Sequence, residues 1–207
     1  DLMSLGMHRL WKKRFVEIID IKENEIVLDV GSGSGDIANE ILKENIPTSL
    51  YLLDLNEKML LEGRKRLKKE KNIKYFIGNA EKLNFENNFF DKYTISFCLR
   101  NVTEYLLSIK EAYRVLKPGG KYCCLEFSTP KSSLVSSSYK IYKSKILPLL
   151  GEIVAKDKNA YKYLSESIDL FPSQEELSKN LSDCGFTKVE TINLFNGIVA
   201  IHTGYKL

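Results

Sequence analysis

This sequence predicts an α/β fold: a mostly parallel sheet of seven strands, helices on both faces, and an antiparallel hairpin at the end. Three observations carry the prediction. Apolar, β-prone runs alternate with helical patterns up to about residue 127, the order that right-handed crossovers wind into a parallel sheet. The first strand empties into three glycines, Gly31, Gly33 and Gly35. The last two apolar stretches, Thr187–Leu194 and Ile198–Tyr205, flank Asn196-Gly197, which signals a hairpin.

The elements follow in chain order. His8 to Ile19 is an amphipathic helix, with Leu10, Trp11, Phe15, Ile18 and Ile19 on one side. Ile26–Val30 is the first strand. The helix after the glycines runs to about Glu44, and Pro47 marks its end. Leu50–Leu53 is the second strand, closed by Asp54, and Asn56 caps a helix reaching about Lys69. Ile73–Ile77 and Tyr93–Phe97 are strands three and four. A helix covers Thr103–Leu116, Lys117-Pro118-Gly119-Gly120 turns the chain, and Lys121–Phe127 is strand five. Over residues 132–165 the strand rhythm breaks. Leu134, Tyr139, Ile146, Leu150 and Val154 stand at helix-like spacing there. That stretch reads as a helical lid subdomain over a greasy substrate, with ordinary core packing as the other reading. Ser173-Gln-Glu-Glu176 is a capping box for a helix to about Cys184. No repeat, low-complexity tract or linker divides the chain, so residues 1–207 form a single domain.

Composition narrows the classes. Of 207 residues 43% are hydrophobic, enough for a sizeable core, and the formal charge of +4 is too small to argue for nucleic acid. The excess is mostly lysine on helix surfaces, with a weak attraction to anionic lipid as the sharper alternative. The cysteines Cys98, Cys123, Cys124 and Cys184 form no C-x-x-C pair. Cys123 and Cys124 are adjacent on a strand and point to opposite faces, which fits buried thiols in a reducing compartment. His8 and His202 have no ligand neighbours at useful spacing, so no metal site is expected. No apolar run approaches the ~20 residues that span a bilayer. The chain opens with Asp1 and reads like a piece lacking its N-terminus.

The glycine loop carries the first chemistry. A dinucleotide loop wants G-x-G-x-x-G with a pyrophosphate over the helix N-terminus. Here the spacing is G-x-G-x-G within Asp29-Val-Gly31-Ser-Gly33-Ser34-Gly35-Asp36. Two carboxylates, Asp29 and Asp36, would repel a phosphate. They suit a cofactor with a cationic end, such as the ammonium and sulfonium of S-adenosylmethionine (SAM). The terminal hairpin separates this reading from a dinucleotide one, because five parallel strands followed by an antiparallel hairpin is the topology of class I SAM-dependent methyltransferases.

Further residues gather at the carboxyl edge of the sheet, where open α/β sheets bind ligands. Asp54 ends strand two, 19 residues past Gly35, and an acid there accepts ribose hydroxyls. Asn79 offers an amide to an adenine edge, and the small Ala80 leaves room for the ring. Ser34 reaches for the methionine carboxylate, and Ser96 closes strand four. Arg100-Asn101 follows directly, where the transferring methyl should point. The strand-four end reads Ser-Phe-Cys-Leu, not [D/N]-P-P-aromatic, which argues against N-methylation of a base or glutamine amide.

These residues resemble the ubiquinone/menaquinone biosynthesis C-methyltransferases. Asp1–Lys12, Ile95–Thr103, Tyr113–Gly120, Leu125–Ser128, Tyr163–Ile168 and Gly197–Lys206 carry the likeness, which spans essentially the whole chain. Phe171-Pro-Ser-Gln-Glu-Glu176 looks most like the eukaryotic coenzyme Q members. Departures are Ser34 for the usual Thr and Cys98 for the usual Gly, which narrows the pocket floor. The family's Tyr-Asp-x-Met-Asn segment, with a tyrosine near the substrate, would precede Asp1.

The resemblance implies SAM as cofactor, with Ser34, Asp54, Asn79, Ala80 and Ser96 on SAM positions; by the spacing of the glycine loop, Asp29, Gly31, Gly33 and Gly35 are further cofactor-binding candidates. It implies C-methylation of a polyprenylated benzoquinol, with Arg100 and Asn101 activating the quinol. A guanidinium holds its proton too tightly to be a base. Arg100 is therefore expected to stabilise the phenolate, directly or through a water, while Asn101 holds the ring oxygen or that water. No His, Asp or Glu of the matching motifs stands out as a base. The alternatives are demethylmenaquinol methylation, another small-molecule or RNA methyltransferase, and a non-catalytic SAM-binding scaffold. Expected partners are the quinol, a membrane met peripherally, and a multiprotein coenzyme Q synthesis complex or a homodimer. The expected place is the matrix side of the mitochondrial inner membrane in a eukaryote, and the bacterial cytoplasm otherwise.

Overall fold

The first helix, α1 (Met7–Ile19), shows how the pattern becomes packing. Trp11, Phe15, Val16 and Ile19 are buried on one face, whereas Leu10 is 60% exposed. One face of a helix repeats at three and four residues. Trp11, Phe15 and Ile19 share that face; Leu10, one position off, turns outward and Val16 takes its place. The computed structural model describes residues 7–44, 46, 48–128 and 158–207.

The strands are β1 (Ile26–Val30), β2 (Ser49–Asp54), β3 (Ile73–Ile77), β4 (Phe90–Ser96), β5 (Leu116–Phe127), β6 (Thr187–Leu194) and β7 (Val199–Tyr205). They form one sheet in the order β3-β2-β1-β4-β5-β7-β6. The first five are parallel. The last two are antiparallel, β7 pairing both β5 and β6. Helices α2 (Asp36–Lys43), α3 (Glu57–Arg66) and α4 (Tyr105–Val115) connect the parallel strands. Two more, α5 (Lys158–Leu170) and α6 (Gln174–Asp183), precede the hairpin. The mostly parallel seven-stranded sheet with its terminal hairpin is as the sequence predicts.

Both faces of the inner strands are covered, which is why these strands read as near-continuous apolar runs. On one face Phe15, Ile19, Ile37, Ile41 and Leu60 from α1, α2 and α3 pack on Val27, Leu50, Leu52, Cys123 and Leu125. On the other, Ile109, Ala112, Leu177 and Leu181 from α4 and α6 pack on Leu28, Leu53, Tyr93, Tyr122 and Cys124. Cys123 and Cys124 thus go to opposite cores as expected, and burial pushes the Cys123 thiol up to about 12.

Boundaries differ where turn chemistry intrudes. Leu116 already pairs with Phe90, so β5 begins before the Lys117–Gly120 turn, which is looped out as an irregularity within the strand. β4 stops at Ser96 because Phe97 turns left-handed at φ 51. Asn56 caps α3 through Lys58 and Met59 N–H, and Ser173 caps α6 by accepting from Glu176 N–H at 3.2 Å. Most of the expected 132–165 lid lies outside the described residues; its last part, 158–165, is the opening of α5.

Candidate functional site

β2 lies to one side of β1 and β4 to the other, so the chain reverses its direction of winding at β1. A crevice opens at the carboxyl ends of strands at such a switch point. Here a cavity of about 200 Å³ is lined by Gly31, Asp54, Leu55, Asn79, Ala80 and Asn101, with Cys98, Val102 and Thr103 closing one wall. Of the residues expected at the site, Gly31, Asp54, Asn79, Ala80 and Asn101 line this cavity. Asp29, Gly33, Ser34, Gly35, Ser96 and Arg100 do not line it; they lie behind or beside it.

The floor is the glycine loop. Gly31, Gly33 and Gly35 all hold positive φ, at 64°, 54° and 77°. A Cβ on Gly31 would stand 2.2 Å from the Cys98 sulfur, so loop and β4 turn are in tight contact. That places Cys98 against the floor, as expected of the residue replacing glycine, and burial lifts its thiol to about 12. Gly35, by contrast, serves packing: it is the left-handed N-cap of α2, and its Cβ would meet Leu67.

Asp54 ties the loop to β2. It accepts from Gly33 N–H at 2.7 Å through Oδ2 and from Asn56 N–H at 2.8 Å through Oδ1. Each carboxylate oxygen keeps a second lone pair. Asn79 builds a turn with its own neighbour, accepting from Glu81 N–H at 2.9 Å and donating to Glu81 Oε2 at 3.1 Å. Glu81 in turn accepts from Glu104 N–H at 2.8 Å, which holds the far wall.

Asp29 sits buried under the loop. Its Oδ1 accepts from the Thr94 hydroxyl at 2.9 Å, while Oδ2 has no partner among the described residues. Burial pushes its pKa up to about 7. Ser32 Oγ in the same loop is likewise buried without a partner. Buried polar atoms rarely stay unpaired, so one near the end of β1 and one in the loop after it fit a polar ligand there. Ser32 escaped the sequence reading, which favoured Ser34; a spacing pattern does not say which serine turns inward.

Asp36 corrects the charge argument. It stands with Lys12 at 2.5 Å and also pairs with Arg66. Burial would raise its pKa, but the hydrogen bonds and charges of Lys12 and Arg66 prevail and lower it. Its charge is spent on those cations, outside the cavity, and Asp29 alone remains beneath the loop.

The Arg100 guanidinium is almost buried. Nη1 donates to Phe97 O at 2.6 Å and to Glu126 Oε1 at 2.7 Å, and the group lies over the Phe127 ring at 5.4 Å. Its Nε has no partner among the described residues. Glu126 Oε1 also accepts from Phe127 N–H, and burial raises the Glu126 pKa against the pull of Arg100. No acid of the matching motifs stands out from the sequence as a partner of the arginine. Glu126 is that partner, and its signal was a carboxylate inside the apolar strand Lys121–Phe127, which needs a buried partner. Asn101, next to Arg100 on the 3₁₀ turn Leu99–Asn101, faces the cavity and accepts from the Tyr163 hydroxyl of α5 at 3.1 Å. His202, expected to be structural, is buried with Nε2 3.2 Å from Gln174 O, away from this cavity.

Residues 1–206 match the ubiE/COQ5 methyltransferase family. The chain belongs to that family. It is 49% identical over 216 residues to the protein named ubiquinone/menaquinone biosynthesis C-methyltransferase UbiE of Rickettsia bellii, covering 100% of this chain and 86% of the relative. The protein of the same name from Rickettsia prowazekii is 48% identical over 217 residues, with the same coverage. Among solved structures, a SAM dependent methyltransferase from Aquifex aeolicus superposes with a TM-score of 0.72 at 18% identity, covering 100% of this chain and 95% of that one. A phosphoethanolamine N-methyltransferase 2 of Haemonchus contortus, in complex with S-adenosyl-L-methionine, gives 0.70 at 19%, covering 97% and 52%. The structures speak for the fold and the family for the class: this family member is a SAM-dependent methyltransferase. Both relatives are bacterial, so the mitochondrial placement expected from the Phe171–Glu176 segment draws no support from them. Among the described residues no helix is long and apolar enough to cross a membrane.

Proposed function

We propose that this protein methylates a ring carbon of a polyprenylated benzoquinol, with the cofactor in the sheet-edge cavity and the acceptor against the Arg100-Asn101 turn. The observation that supports it most is Asn101, which lines the same cavity as Asp54 and Ala80. Cofactor and acceptor ends are thereby brought to one wall.

Bound SAM supplies an electrophilic methyl group on a sulfonium. The residues do the rest. The free lone pairs of Asp54 accept the ribose hydroxyls. Ala80 and the 69% exposed Leu55 enclose the adenine ring, Leu55 being a contact that sequence reasoning missed. Asp29 and Ser32, buried beneath the glycine loop, lie on the side of the cofactor's polar end. On the acceptor side a phenol makes its ring carbon nucleophilic once it loses its proton. Arg100 acts here as a fixed positive charge, held in place by Glu126 and Phe97 O, that favours the phenolate. Asn101 holds the ring oxygen. Alignment of donor and acceptor supplies up to about 7–11 kcal/mol of the barrier reduction. A polyprenyl tail partitions into lipid, so the protein meets its acceptor at a membrane surface, by our reading a bacterial one.

A second acceptor, a demethylnaphthoquinol, is favoured by the two quinones in the relatives' shared name. The test gives the purified protein methyl-labelled SAM and either a short-tailed benzoquinol or the matching naphthoquinol. Carbon-bound label on the benzoquinol is the expected result. Label on the naphthoquinol alone selects the second acceptor, and label on neither overturns both.

A further inference from the structure

We propose that Tyr163 is a positioning residue: its hydroxyl takes the Asn101 amide oxygen, so that Asn101 offers the methyl acceptor a hydrogen-bond donor and not an acceptor. This rests on the proposed placement of the acceptor against Asn101.

The 3₁₀ turn that carries Asn101 is anchored on all sides. Asn101 N–H donates to Cys98 O at 2.8 Å, and Val102 N–H donates to Leu99 O at 3.1 Å. Arg100, one residue earlier, is clamped by Glu126 through both its backbone N–H and its guanidinium. The Asn101 backbone therefore has little freedom. What remains open is the side-chain amide, which has one acceptor face and one donor face of almost equal shape.

In the structure a single contact from another element sets which face is left free. The Tyr163 hydroxyl, on α5, donates to Asn101 Oδ1 at 3.1 Å. With the oxygen held on the Tyr163 side, the amide nitrogen, a donor of two hydrogens, is the group turned to a ligand, and Asn101 lines the cavity wall. A donor stabilises an anionic oxygen more than a neutral hydroxyl, because hydrogen bonds to ionised groups are about twice as strong. Tyr163 thereby biases the site toward the phenolate, the form in which the ring carbon attacks. Tyr163 is 55% exposed, which a residue held only for packing does not explain. It sits at the beginning of the Tyr163–Ile168 segment that the family likeness includes, a motif that the cofactor site leaves unused.

The step balances simply. The phenol proton goes to water, the carbon–sulfur bonding pair leaves with the sulfur, and the methyl joins the ring carbon. The ring-carbon proton then departs to solvent as aromaticity returns. Tyr163 exchanges no proton in this sequence.

The test is a double-mutant cycle on the purified protein with a short-tailed benzoquinol and SAM. Tyr163→Phe is expected to lower kcat about tenfold, the effect of weakening the Asn101 hydrogen bond to the charged phenolate. It should leave the Kd for SAM unchanged and move the rising limb of the pH–rate profile to higher pH. In an Asn101→Ala background the same change should have no further effect. Equal losses from Tyr163→Phe with and without Asn101 would overturn the proposal, as would an unmoved pH limb. A wild-type protein that binds SAM but methylates no quinol would instead sink the acceptor reading itself. Circular dichroism and the SAM Kd of each variant report folding separately from chemistry.

Discussion

Asp29 shows what one buried carboxyl does to a binding protein. Its Oδ2 has no partner among the described residues, and burial lifts its pKa to about 7, far above that of an exposed aspartate. An acid raised by folding keeps its proton in the folded state after the unfolded chain has lost its own. Its advantage is complete below the ordinary carboxyl range and is lost as pH climbs to about 7. Asn cannot ionise, so Asp29→Asn should gain stability relative to wild type between pH 5 and pH 8. Thermal midpoints at both values check this, and a constant difference would count against it. Gly31 is the other decisive residue. At φ 64, with Cys98 Sγ 2.2 Å from where a Cβ would lie, Gly31→Ala should cost about 2 kcal/mol or more through strain and clash. Adding Cys98→Gly should recover the clash and leave the strain, as denaturant titration would show; no recovery would argue that the two do not touch.

At the scale of elements, the decisive junction is between the ends of β4 and β5. Phe97 turns left-handed, Arg100 reaches back to Phe97 O and across to Glu126, and the 3₁₀ turn is thereby held over the cavity. Removing one partner of a buried pair leaves an uncompensated charge. Glu126→Ala should cost about 3–5 kcal/mol in denaturant titration, with Glu126→Gln milder because it keeps an acceptor. A loss under 1 kcal/mol would mean that Arg100 is solvated in solution. This junction was only half legible in the sequence. Arg100 and Asn101 stood out by position after a strand. Glu126 did not, because pairing between the ends of parallel strands depends on register, which no local spacing encodes. Asp36 failed for the converse reason: its neighbours in sequence suggested a cofactor, while its neighbours in space are Lys12 and Arg66. Asn56 and Ser173 succeeded because a cap is a contact between residues two or three apart.

Across the whole molecule, the fold was readable because the inner strands are buried on both faces and the crossovers from β1 to β5 are short, so periodicity and turn residues sufficed. Tyr163 was not readable as a site residue, since α5 meets the cavity only through the fold, and Leu55 was not, since an exposed apolar side chain after Asp54 carries no chemical signal. The account stands on the cavity between β1, β2 and the β4 turn being the cofactor site, with Asp54 at its centre. Titration calorimetry of SAM into wild type and Asp54→Ala tests this most directly. The expected result is one SAM per chain, with affinity falling roughly 10- to 100-fold in the variant. Unchanged affinity in a folded Asp54→Ala protein would contradict it.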